Sequence, residues 1–445
     1  MPKRLSRGLT GSVSKRALDL LALFAFRALV DAWLVRRGFS HVSDDDYARV
    51  VIAQLFAHAP KLDPSGTSWL PFPFWMTGGA MLAFGRSLAV ARAVALTLGV
   101  ASIAPVYFAL RNLGLARATA IAAVVVATAT PWSAWTADAM VPEGFAAALI
   151  AAGALSLGKG GNRTLGALAL LAASLSRYEA WPVCLVFAAA CARDAIGGSR
   201  VRNVALAFVA VAGPLGWMAW NAHAHGSALH FVARVTAYRQ SIGAADIPLQ
   251  EKLLGFPRAL CDGAPWIVLL AALALPALRD RAQRQRWLVP LAATAGMLLF
   301  LVVGDVRDGA PTHHPERAII AAWWVLAPFG VDGVRAIAAR FAWARPKREM
   351  FFVGAAAAFA IVFSADTFTE WDDHPGRGAS EDRAAQLARG AALRDNGASR
   401  FSVTPCAYEH FALLSAYEAP ERATTHAASH RPLDTSCPDV VVARE

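Results

Sequence analysis

Three consecutive aspartates, Asp44, Asp45 and Asp46, lie in the segment SHVSDDDYARV, shortly after an apolar stretch. Ser43 and Asp46 have the spacing of a capping box at a helix start, which would occupy the Asp46 carboxylate. Arg49 follows Asp45 by four residues and Asp46 by three, so it can pair with either on one helix face. Asp44 has no such neighbour. We therefore expect Asp44 to be the carboxylate that is available for chemistry.

An available carboxylate beside an apolar surface suits a general base that takes a proton from a hydroxyl group. Asp44 is the first choice for that role, and Asp45 is the second. A purely structural role is also open, because negative charge is favoured at the start of a helix such as YARVVIAQLFAHA. Asp44, Asp45 and Asp46 could also bind a divalent cation. No other cofactor is expected.

The surrounding chain has the composition of a membrane protein. Of 445 residues, 56% are hydrophobic and 17% are charged, and the mean hydropathy is +0.41, unlike a soluble domain. We predict a polytopic α-helical membrane protein with about 11 transmembrane helices, several of them shorter than the roughly 20 residues that usually span a bilayer. The predicted spans are 17–35, 87–110, 118–136, 141–157, 164–176, 181–192, 203–221, 265–278, 287–304, 318–334 and 349–365.

The basic residues indicate the orientation of these spans. The net charge of +11 is concentrated in alternate loops, for example in RDRAQRQR at 279–286, and the short loops between them hold few Lys or Arg. This positive-inside asymmetry predicts the N-terminus inside and the C-terminus outside. It also explains the basic balance without nucleic-acid binding. We expect an integral protein of a bacterial inner or plasma membrane, with its active site on the periplasmic side.

Long outside segments separate some of the spans. The three are 36–86 with the aspartates, 222–264 with amphipathic and partly helical character, and the tail 366–445. We predict that residues 1–365 form the transmembrane catalytic domain. The tail is predicted to be a small α/β domain with a helix near 380–394, a strand at RFSVTP, a helix at YEHFALLSAYE and a strand at PDVVVARE. A disulfide between Cys406 and Cys437 is permitted outside the cell, but the sequence does not decide it.

The order of these features resembles the GT-C glycosyltransferases, which use polyprenyl-phosphate sugars and include the protein O-mannosyltransferase and aminoarabinose transferase families. Their first outside loop carries Asp-Glu or Asp-Asp with a Tyr shortly after, matched here by Asp44, Asp45 and Tyr47. WLPFPFW at 69–75 is similar to a Pro-Pro-Leu element of many members, and AFGRSLAVARAVAL at 83–96 to the entry into their second span. The third aspartate departs from the family pattern.

The resemblance implies an inverting membrane glycosyltransferase. It would move a sugar from a polyprenyl-phosphate-linked donor to a hydroxyl of a glycan, lipid or protein, with Asp44 taking the acceptor proton. The leaving phosphate gains negative charge and needs cationic or hydrogen-bonding groups. The substrate-binding candidates are Tyr47, Glu143, Arg177, Tyr178, His313, His314 and Arg317.

Simpler explanations exist for several of these candidates. Arg177 and Arg317 could extend towards water from the ends of spans. Glu143 could orient the acceptor, but a cap at the start of the fourth span explains it more simply. His313 and His314 lie beside a glutamate and could bind a metal, although two adjacent histidines rarely reach one ion without a third ligand.

A transporter or flippase of lipid-linked sugars is the main alternative. Transporters place ionisable groups within the membrane along the substrate path, and Arg27 and Asp31 lie four residues apart in the first predicted span. Such a pair is explained more simply by helix packing. The other polar candidates gather on the outside face, which favours chemistry at the membrane surface.

Overall fold

A computed structural model of the chain is mostly helical. It describes residues 6–241, 247–309, 314–339, 351, 354–356, 358–359, 362, 375–404, 408–425 and 441–444. The chain divides into two compact units. The first comprises Met1–Trp33, Gly99–Ala134 and Glu143–Thr367, and the second comprises Leu34–Leu98, Trp135–Pro142 and Phe368–Glu445.

Helices account for most of the described residues ahead of the tail. In the described residues they are α1 (Ser6–Arg36), α2 (Asp45–His58), α3 (Phe72–Phe84), α4 (Leu88–Ala101), α5 (Ile103–Asn112), α6 (Arg117–Thr128), α7 (Pro131–Asp138), α8 (Glu143–Leu155), α9 (Arg163–Ser174), α10 (Ala180–Ile196), α11 (Arg200–His225), α12 (His230–Ser241), α13 (Leu249–Asp262), α14 (Pro265–Ala274), α15 (Arg281–Val306) and α16 (Glu316–Ala338), with a 3-10 helix at Leu275–Arg279.

Each of the first ten predicted spans coincides with helical structure. Among the described residues, four helical segments are long and apolar enough to cross a membrane, and up to six are if each of two bent pairs is one span. The four are Leu88–Asn112, Arg200–His225, Arg281–Val306 and Glu316–Ala338. These apolar helices indicate an integral membrane protein. The span predicted at 349–365 lies mostly outside the described residues, and the total of about 11 stays a prediction.

Two helix pairs are sharply bent. The span predicted at 118–136 is helical but broken, because α6 and α7 meet at an angle of 75°. Pro131 begins α7, where its missing N–H is tolerated, and it cannot continue the hydrogen-bond ladder of α6. The same effect at Pro265 produces the bend of 86° between α13 and the helical segment Pro265–Arg279. The predicted outside segment 222–264 contains α12 and α13 and ends at this second bend.

The core of the first unit is built on small residues that let helices approach closely. Helix α14 packs against α16, and α8, which is buried on almost all sides, packs against α9 and α16. A Cβ added at Gly333 would lie 2.3 Å from the Cβ of Ala274, and one at Gly330 would lie 2.7 Å from the Cγ of Leu270. The α14–α16 contact therefore requires glycine at both positions.

We expect Gly333→Ala to lower the free energy of unfolding by about 1–3 kcal/mol, because the added methyl group overpacks a contact that has no room for it. The measurement is thermal or chemical unfolding of the detergent-solubilised protein. Gly296→Ala in α15 is the matched control, since a Cβ there has nothing within 4 Å. Equal stability of the two variants would contradict this account of the packing.

The second unit contains the tail and the first of the segments predicted to lie outside, 36–86. The described tail elements are α17 (Pro375–Asp395), β1 (Phe401–Thr404), α18 (His410–Tyr417), a 3-10 helix at Pro420–Arg422, β2 (Ala423–Thr425) and β3 (Val441–Arg444). The strands form a sheet in the order β2-β1-β3, with β1 parallel to β2 and antiparallel to β3. The four predicted helices and strands of the tail are thus present, with β2 in addition. Cys406 and Cys437 lie outside the described residues.

The tail shares its hydrophobic core with α2. Val51 of α2 packs with Phe401, Leu413 and Tyr417. The Gln54 side-chain amide donates hydrogen bonds to the backbone oxygens of Arg86 and Ser415, both at 2.8 Å. In the described residues, therefore, the segment after residue 365 packs as one unit with the segment that carries the aspartates.

An ion pair adds to this attachment. Arg86 donates hydrogen bonds to Glu421 at 2.8 Å and 3.1 Å. Burial raises the pKa of the Glu421 carboxyl, but the hydrogen bonds and charge of Arg86, a backbone hydrogen bond and the charge of His58 together hold that pKa below its ordinary value of 4.5. A lowered pKa in the folded state contributes stability that is present above the pKa of the unfolded state. That contribution is lost as the pH falls through the folded pKa.

We expect the unfolding temperature to fall as the pH drops below about 4.5, and to fall less steeply in Arg86→Gln, because the variant no longer stabilises the ionised Glu421. Thermal unfolding between neutral and acidic pH measures the two slopes. Arg394→Gln is the control, because it removes a more exposed pair with Glu418. Parallel curves for the wild type and Arg86→Gln would count against the role assigned to this pair.

Candidate active site

Asp46 is committed to the backbone at the start of α2. Its Oδ2 accepts hydrogen bonds from the N–H groups of Val42 at 3.1 Å and Ser43 at 3.2 Å, and its Oδ1 accepts one from the N–H of Met140 at 2.7 Å. The side chain is fully buried. The predicted occupation of this carboxylate by the helix start is therefore correct, although α2 begins at Asp45 with Asp44 as its N-cap, one residue later than predicted.

Asp44 has an ion-pair partner, so the expectation that it lacks one is wrong. Arg383 of α17 donates from Nε to Oδ1 at 2.5 Å and from Nη2 to Oδ2 at 2.8 Å. The Asp44 side chain is 24% exposed and the Arg383 side chain is 15% exposed. Helical spacing could not reveal this contact, because it reports only neighbours three or four residues apart.

Arg49 contacts the aromatic segment that follows α2. Its guanidinium carbon lies 4.2 Å from the centroid of the Trp69 ring, and Trp69 stacks with Phe74. This cation–π contact ties α2 to WLPFPFW. The pairing of Arg49 with Asp45 stays a prediction.

Tyr47 belongs to a buried polar group that the sequence analysis missed. Its hydroxyl lies 3.2 Å from Nδ1 of His41, which also lies 2.7 Å from Oγ of Ser40. Burial lowers the pKa of His41 to about 4 and raises the pKa of Tyr47 to about 12, so both side chains are neutral near pH 7. Nε2 of His41 is buried without a hydrogen-bond partner in the described residues. The sequence offered one sign of this group, because His41 lies only three residues before Asp44.

Three predicted residues meet at the start of α8. Oε1 of Glu143 accepts hydrogen bonds from Nη1 of Arg177 at 2.9 Å and from Nη2 of Arg317 at 2.7 Å. Arg177 also binds Glu179 through Nε at 3.1 Å and Nη2 at 2.5 Å. The arginines therefore converge on a buried carboxylate. Guanidinium groups that are paired and partly buried in this way can donate two parallel hydrogen bonds to the oxygens of a phosphate group.

Tyr178, the residue after Arg177, lies in a cluster of aromatic side chains. Its ring stacks on Phe231 with centroids 4.6 Å apart, and its hydroxyl accepts a hydrogen bond from Nε1 of Trp217 at 3.1 Å. His314 lies against Trp132 with ring centroids 5.2 Å apart. His313 lies outside the described residues.

The described residues include no group of three or more His, Cys, Asp or Glu side chains arranged to hold a metal ion. Asp44 is held by a guanidinium group and Asp46 by backbone N–H groups. Metal dependence of the protein stays a prediction.

The charged pair within α1 has a packing role. Arg27 and Asp31 are both buried, and Nε of Arg27 lies 2.5 Å from Oδ1 of Asp31. Arg27 also donates to the backbone oxygens of Ser133 at 3.4 Å and Ala134 at 2.8 Å, close to the bend between α6 and α7. Because this pair is occupied in holding helices together, it does not favour a transport path.

Known proteins with this fold were found by structure. No family model matches the chain, and no curated protein matches it by sequence. The structure of ArnT from Cupriavidus metallidurans bound to undecaprenyl phosphate matches with a TM-score of 0.55 and 15% identity, over 91% of this chain and 89% of that chain. The chain has an ArnT-like fold. ArnT in the apo state matches with a TM-score of 0.52 and 15% identity, over 92% and 90% of the two chains.

ArnT is an aminoarabinose transferase of the GT-C family. The predicted GT-C resemblance is therefore confirmed at the level of the fold, which extends over most of the chain rather than only its N-terminal part.

We expect Glu143→Gln to lower the free energy of unfolding by about 3 kcal/mol, because Arg177 and Arg317 lose a buried counter-charge. Unfolding of the detergent-solubilised protein measures this loss. Glu418→Gln is the matched control, since its pair with Arg394 is more exposed and is expected to contribute less than about 1 kcal/mol. A loss no larger than that of the control would contradict the role of Glu143 as the shared counter-charge.

Proposed function

We propose that the protein is an inverting membrane glycosyltransferase that moves a sugar from a polyprenyl-phosphate-linked donor to a hydroxyl acceptor. The observation that carries this proposal is the convergence of Arg177 and Arg317 on Glu143. It occurs in a chain with the fold of a protein that has been solved with undecaprenyl phosphate bound. An isoprenoid phosphate needs both an apolar environment and cationic donors, and this chain has both.

In the proposed reaction the acceptor oxygen attacks the anomeric carbon of the sugar. The new carbon–oxygen bond forms on one face as the bond to the phosphate oxygen breaks on the other, which inverts the anomeric centre. The acceptor proton passes to Asp44, with Asp45 as the second candidate. Because the transition state of glycosyl transfer resembles an oxocarbenium ion, this proton leaves late. A carboxylate held by Arg383 is then a sufficient base.

The phosphate that leaves carries the charge that the arginines would receive. Arg177 and Arg317 are proposed to donate hydrogen bonds to its oxygens, since guanidinium groups bind phosphate in a forked geometry. Glu143 would hold the two guanidinium groups in place before the donor arrives. Tyr178, His313 and His314 are proposed to contact the donor, and Tyr47 to support the segment that carries Asp44.

The proposed reaction takes place on the outer face of a bacterial inner or plasma membrane. The alternation of basic and neutral loops supports this orientation, because basic loops are retained on the inner side. The acceptor class is a glycan, a lipid or a protein with an accessible hydroxyl, and membrane lipids surround the apolar helices.

The test is sugar transfer from a synthetic polyprenyl-phosphate sugar by the purified full chain. We expect Asp44→Asn to lower kcat by roughly 10²–10⁴-fold, because the amide cannot accept the proton. Asp45→Asn tests the second candidate and is expected to lower kcat less than Asp44→Asn does. Asp46→Asn is expected to lower the unfolding temperature, since it weakens three hydrogen bonds from backbone N–H groups.

Full activity of folded Asp44→Asn and Asp45→Asn would contradict the assignment of the base. A transporter would give a different result altogether: the lipid-linked sugar would cross the membrane of a proteoliposome, and no new glycosidic bond would form.

A further inference from the structure

We propose that Arg383 is a positioning residue for Asp44, so that the C-terminal tail supplies part of the active site. The inference rests on the proposed glycosyl transfer and extends it to a residue of the second unit that had no role in the sequence analysis. Arg383 and Asp44 make a two-point contact, with Nε on Oδ1 and Nη2 on Oδ2.

The two-point contact fixes the plane of the carboxylate as well as its position. A planar guanidinium with two parallel donors restricts rotation of the carboxylate about its bond to Cβ, which a single donor does not. Each carboxylate oxygen has two acceptor positions, so one on each oxygen remains for an incoming hydroxyl. Arg383 can therefore orient Asp44 without blocking it.

The helix start does not supply this restraint. Asp44 is the N-cap residue of α2, where an aspartate usually accepts a hydrogen bond from a backbone N–H of the first turn. Its side chain makes no such hydrogen bond here. Its carboxylate is held instead by Arg383, whose positive charge also offsets the repulsion among the three adjacent aspartates.

Packing within the second unit fixes the position of Arg383. Helix α17 packs against α18, and α18 packs against α2. Gly390 permits the first contact, because a Cβ there would lie 2.1 Å from the backbone oxygen of Leu413. In the second contact, Leu413 and Leu414 share a hydrophobic core with Val51 of α2. The guanidinium is thus presented to Asp44 by a continuous series of packed helices.

The test compares Arg383→Gln, Arg383→Lys and the control Arg394→Gln in the full chain. Arg394 lies on the same helix and pairs with Glu418. We expect Arg383→Gln to lower kcat by about 10²-fold, the size of effect that misplacing a reacting group produces. The KM for donor and for acceptor should change by less than about threefold, since Arg383 acts through Asp44. Lysine retains the charge but not the fork, so it should restore only part of kcat.

A second comparison separates positioning from a merely structural role. In an Asp44→Asn background, Arg383→Gln should cause no further loss of kcat, because residues that act as a unit are not additive. The unfolding temperature of each variant shows whether a loss of kcat comes from loss of folded protein.

Four results would overturn the inference. The first is wild-type kcat in Arg383→Gln. The second is a loss of kcat that is explained by loss of folded protein, and the third is an equal loss of kcat when Arg383→Gln is made in the Asp44→Asn background. The fourth is a wild-type protein that transfers no sugar from the polyprenyl-phosphate donor; it refutes the proposed function itself and the inference with it. Activity in the wild type and in Arg394→Gln distinguishes failure of the inference from failure of the function.

Discussion

Charged side chains inside an apolar helical protein need counter-charges nearby, because an isolated buried ion costs many kcal/mol. This constraint determines where distant parts of the chain meet. Glu143 joins the start of α8 to Arg177 and Arg317. Asp332 of α16, fully buried, accepts a hydrogen bond from Arg286 of α15 at 2.8 Å. Each contact holds helices together, and each also leaves an ionised group in a defined orientation.

The same constraint connects the fold to the proposed chemistry. Transfer of a sugar from a lipid phosphate needs an ionised carboxylate for the acceptor proton and cationic donors for the leaving phosphate. Donors that are held in place before the reaction cost little reorganisation during it. Arg177 and Arg317 are held by Glu143, and Asp44 is held by Arg383. The resting ion pairs thus hold these side chains in defined orientations before a substrate binds.

Local features of the fold could be predicted from the sequence, because they depend on neighbouring residues. Apolar runs predicted the helices, and the capping-box spacing predicted that Asp46 would be occupied. The bend at Pro131 was missed although proline at that point signals it. The contact of Asp44 with Arg383 depends on the folded tail, and local spacing carries no information about it. For the same reason, Glu143 and the arginines could be nominated one by one, but their convergence could not.

The most direct test of the central claim is the fate of a polyprenyl-phosphate sugar incubated with the purified protein and hydroxyl acceptors. Products are analysed for free polyprenyl phosphate, for new glycoside and for anomeric configuration. The account predicts that phosphate and glycoside appear in equal amounts and that the anomeric centre is inverted relative to the donor. Retention of configuration, or recovery of the intact donor across a panel of glycan, lipid and protein acceptors, would contradict it.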